Sequence, residues 1–166
     1  MAKQTSGKSQ GSKVPSDDEV RVVARNRRAR FEFELLEKIE AGLVLTGTEV
    51  KSLRNGKSSL EESYATVEND EVWLQGCDIP EYLQANRMNH KPKRPRKLLL
   101  HRREIDKIAT RTSEKGLTLV PTRIYFKNGV AKVEICIAKG RKMHDKRNAL
   151  KTKDAQRDID RALRGR

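Results

Sequence analysis

Asn55-Gly56-Lys57-Ser58-Ser59 ends like a nucleotide-binding loop. In such loops glycines bring backbone amides against phosphates and a lysine reaches the outer ones. The glycine that opens the loop would stand at position 51, which here is Lys51, so the cradle is not built. His90, His101 and His144 are far apart, without HxxxH or HExxH spacing, and supply no metal set. Cys77 and Cys136 form neither a CxxC pair nor a disulfide framework; they read as buried thiols in a reducing cytoplasm. No GxSxG or Cys–His signature marks a nucleophile. Glu32, Glu34, Glu37 and Glu40 read as solvent-facing and strand positions, not as an acid–base pair. The expectation is a non-enzymatic chain with no cofactor and no metal.

Cations are what the chain has in abundance. The 166 residues hold 37 Lys and Arg against 23 Asp and Glu, a formal net charge of +14. Residues 1–30 carry 8 basic and 3 acidic groups, residues 87–103 carry 8 basic and none acidic, and residues 140–166 carry 10 basic and 4 acidic. The remainder of the chain is net acidic. Three separate basic segments on an acidic remainder are the footprint of a protein that tracks phosphates. With aromatics at 4%, a large enzyme pocket is hard to build. No 18-residue apolar stretch is present, and the polar N-terminus lacks a signal-peptide core. The expected partner is therefore a nucleic acid and not a membrane.

The elements that must position these cations follow from periodicity. Residues 1–21 are polar and aperiodic and are expected to be a disordered extension. Residues 31–45 read as strand, bend at Ala41-Gly42, strand. Thr48 is expected to cap a short helix carrying Val50 and Leu53, closed by Asn55-Gly56. Short strands at 64–68 and 72–75 flank the turn Asn69-Asp70. Residues 84–97, with Pro92 and Pro95, read as a long basic loop. Ile105, Ile108, Ala109 and Thr112 lie at helical spacing within 101–115, which Gly116 closes. Two long strands follow, joined at Asn128-Gly129. Ala131, Val133, Ile135 and Ile137 share one face, and Pro121 belongs at an edge or bulge. Five or six antiparallel strands with two helices predict a mainly β domain over 22–139, an OB-type antiparallel barrel with flanking helices. In residues 140–166, Ala155, Ile159, Ala162 and Leu163 lie on one helical face. That spacing predicts a basic tail, disordered when free and helical on binding.

Three strings carry a family resemblance: GTEVKSLRNGKSSL at 47–60, RKLLLHRREI at 96–105 and KGRKMHDKR at 139–147. The NRRAR string at 26–30 and Ile79-Pro80-Glu81-Tyr82 agree in order and spacing. Over residues 24–166 the chain resembles the small protein B (SsrA-binding protein) family, the partner of transfer-messenger RNA in bacterial trans-translation. The resemblance implies an OB-type barrel that binds the tRNA-like domain of that RNA. It implies delivery of the alanylated RNA, with elongation factor Tu, to stalled ribosomes for rescue and peptide tagging. The tail would occupy the empty mRNA channel and decoding centre.

By the same resemblance Asn26, Arg28, Glu40, Leu99 and His101 match RNA-contacting positions, and Arg96, Lys97, Arg102 and Arg103 are expected to hold phosphates. Strand alternation turns Leu98 and Leu100 away from Leu99. Phe33 stands where many members carry Tyr, so a phenolic hydroxyl is missing there. Gly140 resembles the hinge into the tail, and Lys142, His144, Asp145, Lys146 and Arg147 match its ribosome-facing motif. The rival reading is another OB-fold ribosomal or tRNA-binding protein. A cytoplasmic monomer is expected.

Overall fold

The computed structural model describes residues 20–85, 89–142 and, beyond them, 155, 157, 159, 161 and 163. Its elements run β1 (Arg21–Arg25), α1 (Ala29–Glu32), β2 (Phe33–Leu43), α2 (Gly47–Arg54), β3 (Tyr64–Glu68), β4 (Glu71–Gln75), β5 (Arg96–Leu99), α3 (Arg102–Thr112), β6 (Leu117–Lys127) and β7 (Val130–Gly140). Asn69 and Asp70 both take positive φ, as do Asn128 and Gly129. That is the turn geometry whose twist suits a two-residue hairpin. The two turns join β3 to β4 and β6 to β7.

All pairings are antiparallel. The order β6-β3-β4-β5-β2-β7 returns to β6 through the long β6–β7 ladder, so six strands close a ring, as the barrel reading expects. β1 adds to the stretch of β6 that β3 leaves open, opposite residues 123–126. Pro121 sits at the register shift between Pro121 and Arg123, a bulge where no ladder donor is needed. Leu53 of α2 and Ile108 of α3 are both fully buried and join the barrel core of Val72, Leu74, Leu98, Ile124, Val133 and Ile135. A second, smaller cluster of Ala29, Val120 and Ala138, with Phe33 and Leu35 against it, lies outside the ring. It explains why β7 is buried on both faces from Ile135 to Ala138, where simple alternation predicts one. Cys77 and Cys136 are buried free thiols, and burial pushes the Cys77 thiol up to about 11.

Several expectations are corrected. Between Arg21 and Gly140 seven strands and three helices are present among the described residues, not five or six and two. Ala41-Gly42 does not break the strand, because β2 is held by β7 as far as Gly42 and meets β5 at Gly42 and Leu43. Its irregularity falls between Leu35 and Glu37. Phe31 belongs to the one-turn helix α1, which precedes the strand. Thr46, not Thr48, is the N-cap of α2, and the Glu49 carboxylate accepts from the Thr46 amide at 2.7 Å. Thr48 instead bonds His90 Nδ1 at 2.9 Å, while His90 Nε2 pairs with the Ile79 carbonyl. His90 is a packing residue. The expected disordered extension falls in residues outside those described, save the last two. In the C-terminal segment Ala155, Arg157, Ile159, Arg161 and Leu163 are helical and exposed.

Candidate nucleic-acid interface

Strand β5 is short, and its parity decides which cations face outward. Arg96 and Leu98 are buried, whereas Lys97 and Leu99 face out. Leu99 is 55% exposed, a cost for a leucine in water that a binding surface recovers. It lies opposite Gly42 of β2, and a Cβ at Gly42 would come within 3.3 Å of Leu99 Cβ. The missing side chain leaves an open groove lined by Glu40, Gly42, Leu99, Leu100, His101, Glu104 and Lys132. Glu40, Leu99 and His101 are thereby brought together from two strands and the start of α3. Leu98 points into the core and Leu100 packs against it, so the alternation predicted for this stretch holds.

Glu40 is an exposed carboxylate with both oxygens engaged, one by Lys132 Nζ and the other by the Tyr125 hydroxyl. These two donors hold it below the usual carboxylate range, the Lys132 hydrogen bond contributing most. Tyr125 is raised by burial and by the same bond to Glu40. Each carboxylate oxygen keeps a free lone pair, so Glu40 can still accept from a base amino group or a 2′-OH while its direction is fixed from below. His101 is the N-cap of α3, its amide bonded to Glu104 Oε2 at 2.9 Å.

Other predicted positions divide by burial. Arg96 is fully buried and does not hold phosphate. Its guanidinium bonds Glu49 Oε1 at 2.9 Å and the carbonyls of Cys77, Pro92 and Arg94. Asn26 is likewise buried, its amide donating to the Leu60 carbonyl and its oxygen accepting from the Ala29 amide. It shapes the turn between β1 and α1. Lys97 is half-exposed and paired with Glu71. Arg102 pairs with Asp70 at 3.0 Å and Asp106 at 3.2 Å, and Arg28 with Glu32 at 3.5 Å. Arg103 is exposed. Phe33 is half-buried beside the small outer cluster. Gly140 closes β7 opposite Phe33, and the next amide, Arg141, still bonds the Glu32 carbonyl at 3.0 Å. Lys142 is exposed; His144, Asp145, Lys146 and Arg147 lie outside the described residues.

A second cleft gathers part of the first basic segment and the NRRAR string with cations the sequence reading did not single out. Arg25, Arg27, Arg30, Lys38 and Arg123 line it with Asn26, Thr122 and Glu134. Lys38 and Arg123 stand on strands where a lone cation reads as a solvent-facing ladder position. The clue that gathers them is register, Arg25 opposite Arg123 and Arg123 opposite Glu134, and no local pattern encodes it.

Comparison with known proteins agrees with this architecture. The family model described as "SmpB protein" matches residues 23–165. An SsrA-binding protein of Bradyrhizobium diazoefficiens is 54% identical over 148 residues, covering 89% of this chain and 94% of its own. One of Desulforudis audaxviator is 53% identical over 146 residues, covering 88% and 95%. A chain from a solved structure described as "tmRNA-SmpB: a journey to the center of the bacterial ribosome" superposes with a TM-score of 0.62 at 47% identity, covering 72% of this chain and 84% of that one.

Proposed function

The chain belongs to the SmpB family, and from that premise we propose that it binds the tRNA-like domain of transfer-messenger RNA and promotes delivery of that RNA to stalled ribosomes for trans-translation. It works in the cytoplasm by binding alone, without turning over a substrate. Elongation factor Tu, carrying the alanylated RNA, is a further partner, and the basic segment 140–166 occupies the empty mRNA channel and the decoding centre. The observation that carries the RNA reading is the groove over Gly42, where an exposed leucine, an aimed carboxylate and a histidine converge from distant parts of the chain. An apolar side chain and an imidazole can contact unstacked bases. An acceptor beside them selects among base edges and adds little affinity. Lys97 and Arg102, at the groove's margin, exchange their carboxylate partners for phosphate oxygens.

A titration at fixed salt tests this reading. The tRNA-like domain is expected to bind several hundredfold more tightly than an ordinary tRNA of equal length, a preference of about 3–4 kcal/mol. Equal and steeply salt-dependent binding to both would leave only a nonspecific polycation. Within the groove, Tyr125→Phe removes the hydroxyl that aims Glu40 and keeps the buried ring. Its expected effect is a roughly fivefold loss of that preference, the worth of one hydrogen bond, with the Glu40 carboxyl titrating at higher pH by NMR. Unchanged preference with a shifted titration would show that RNA does not read the direction of Glu40.

A further inference from the structure

We infer that the cleft of Arg25, Arg27, Arg30, Lys38 and Arg123 is a second RNA site, one that holds phosphodiester groups of the backbone and reads no bases. This rests on the RNA-binding reading and extends it to residues outside the groove. Charge pairing separates the two surfaces. Three cations in or near the groove are neutralised within the protein: Lys97 by Glu71, Lys132 by Glu40, Arg102 by Asp70 and Asp106. In the cleft, none of Arg25, Arg27, Arg30 or Lys38 has a carboxylate partner among the described residues, and all four are exposed. The cleft's lone carboxylate, Glu134, is already engaged by Arg123 at 2.9 Å and by the Thr122 hydroxyl at 2.6 Å. Five cations thus face one satisfied anion. A phosphate entering here breaks no internal pair, whereas one entering the groove must displace a carboxylate.

Register points the same way. Arg25 and Arg123 are directly opposite in the β1–β6 ladder, and like charges so placed destabilise a sheet. Arg123 relieves this in part by lying over the Tyr125 ring, 5.0 Å from its centre. Arg27 and Arg30 are held at the rim by the buried Asn26, whose amide and side chain tie the turn to Thr122, Leu60 and Ala29. Buried hydrogen bonds therefore keep together cations that repel one another, and an anion is what offsets that repulsion. The cleft is open, about 510 Å³, and offers no aromatic wall for a base. That suits a chain of phosphates better than a free nucleotide.

The cleft also adjoins the groove. Lys38 and Glu40 lie two apart on β2, Lys132 and Glu134 on β7, Arg123 and Tyr125 on β6, each pair on one outer face. Two strand residues span about 7 Å, so an RNA seated on the groove needs only a short extension to reach the cleft. Two sources supply such phosphates, the transfer-messenger RNA and ribosomal RNA, and the test separates them.

The test uses the full chain and the triple variant R27A/R30A/K38A, which removes exposed cations without internal carboxylate partners and so spares the fold; a matched urea midpoint checks that. Binding is measured against salt on two targets, the isolated tRNA-like domain and small ribosomal subunits free of it. The expected result is at least a tenfold loss of affinity on one target. On that target the salt slope should also fall by about two to three, close to 0.7–0.9 for each phosphate no longer neutralised. The target that responds identifies the source of the phosphates. Unchanged affinity and slope on both targets would overturn the inference, and so would a loss of affinity at constant slope. The unsubstituted chain serves as the separate control: if it fails to prefer the tRNA-like domain over ordinary tRNA, the partner reading fails, while the slope difference still reports on the cleft.

Discussion

Glu49→Ala is expected to destabilise the fold by about 3–5 kcal/mol, the cost of leaving a buried charge without its partner. Glu49 and Arg96 are both fully buried. The Glu49 carboxylate accepts from Arg96 Nε at 2.9 Å, from Arg94 at 2.5 and 2.8 Å, and from the Thr46 amide at 2.7 Å. One side chain therefore caps α2, neutralises the interior of β5 and ties down the loop before it. Without it, the Arg96 guanidinium has only the carbonyls of Cys77, Pro92 and Arg94 for company. Against a typical total of about 5–15 kcal/mol, the loss is a large share of stability. It should lower the urea midpoint by more than about 1 M. Burial alone would raise the Glu49 carboxyl. The Arg94 hydrogen bond, the Thr46 amide and the charges of Arg96 and Arg94 outweigh it and hold the group below its ordinary 4.5. Because the folded-state value is depressed, the stabilisation is complete above about pH 4.5 and is lost as pH falls through the folded-state value. The gap between the natural chain and Glu49→Gln should accordingly narrow on acidification below about pH 4.5. A variant as stable as the natural chain at neutral pH would mean that the pair contributes orientation and no net energy.

The same pair shows where legibility ends. Arg96 sits within a segment of eight basic residues and no acidic ones, so composition assigns it to phosphate. Its burial follows from the parity of a four-residue strand and from a glutamate 47 positions away, and neither is a local signal. The hairpins are readable because Asn-Asp and Asn-Gly announce positive φ. α3 is readable because its apolar spacing is regular, and the exposure of Leu99 because alternation survives on β5. The break expected at Ala41-Gly42 does not form, because continuity of β2 comes from two partner strands and not from its own residues. Glu40, Leu99 and His101 are legible through resemblance, and the structure adds what aims Glu40. The Arg25–Arg123 cleft is legible only in part: Arg25, Arg27 and Arg30 lie in the first basic segment, whereas only register and packing bring Lys38 of β2 and Arg123 of β6 to them.

Removal of residues 143–166 is expected to abolish peptide tagging on stalled ribosomes. The preference for the tRNA-like domain over ordinary tRNA should remain within about threefold of its full value, under 1 kcal/mol. The described core is complete without the segment. Among the described residues, every buried core residue lies between Ala24 and Ala138, β7 ends at Gly140, and Arg141 makes the most C-terminal backbone bond to the body, at Glu32. Beyond the cut, Ile159 and Leu163 are 54% and 70% exposed, so removing them opens no cavity. Eight Lys and Arg residues go with the segment, and nonspecific RNA affinity should fall at low salt. That loss applies to both RNAs alike, which is why the ratio and not the affinity is the readout. His144→Ala is the sharper probe, since a ring stacked on an exposed ribosomal base is worth about 1–3 kcal/mol and the substitution leaves the charge of the tail intact at neutral pH. It should reduce tagging without altering the preference or its salt slope. If preference and tagging fall together in both variants, the tail belongs to the RNA site; if the truncated chain tags normally, the decoding-centre role falls.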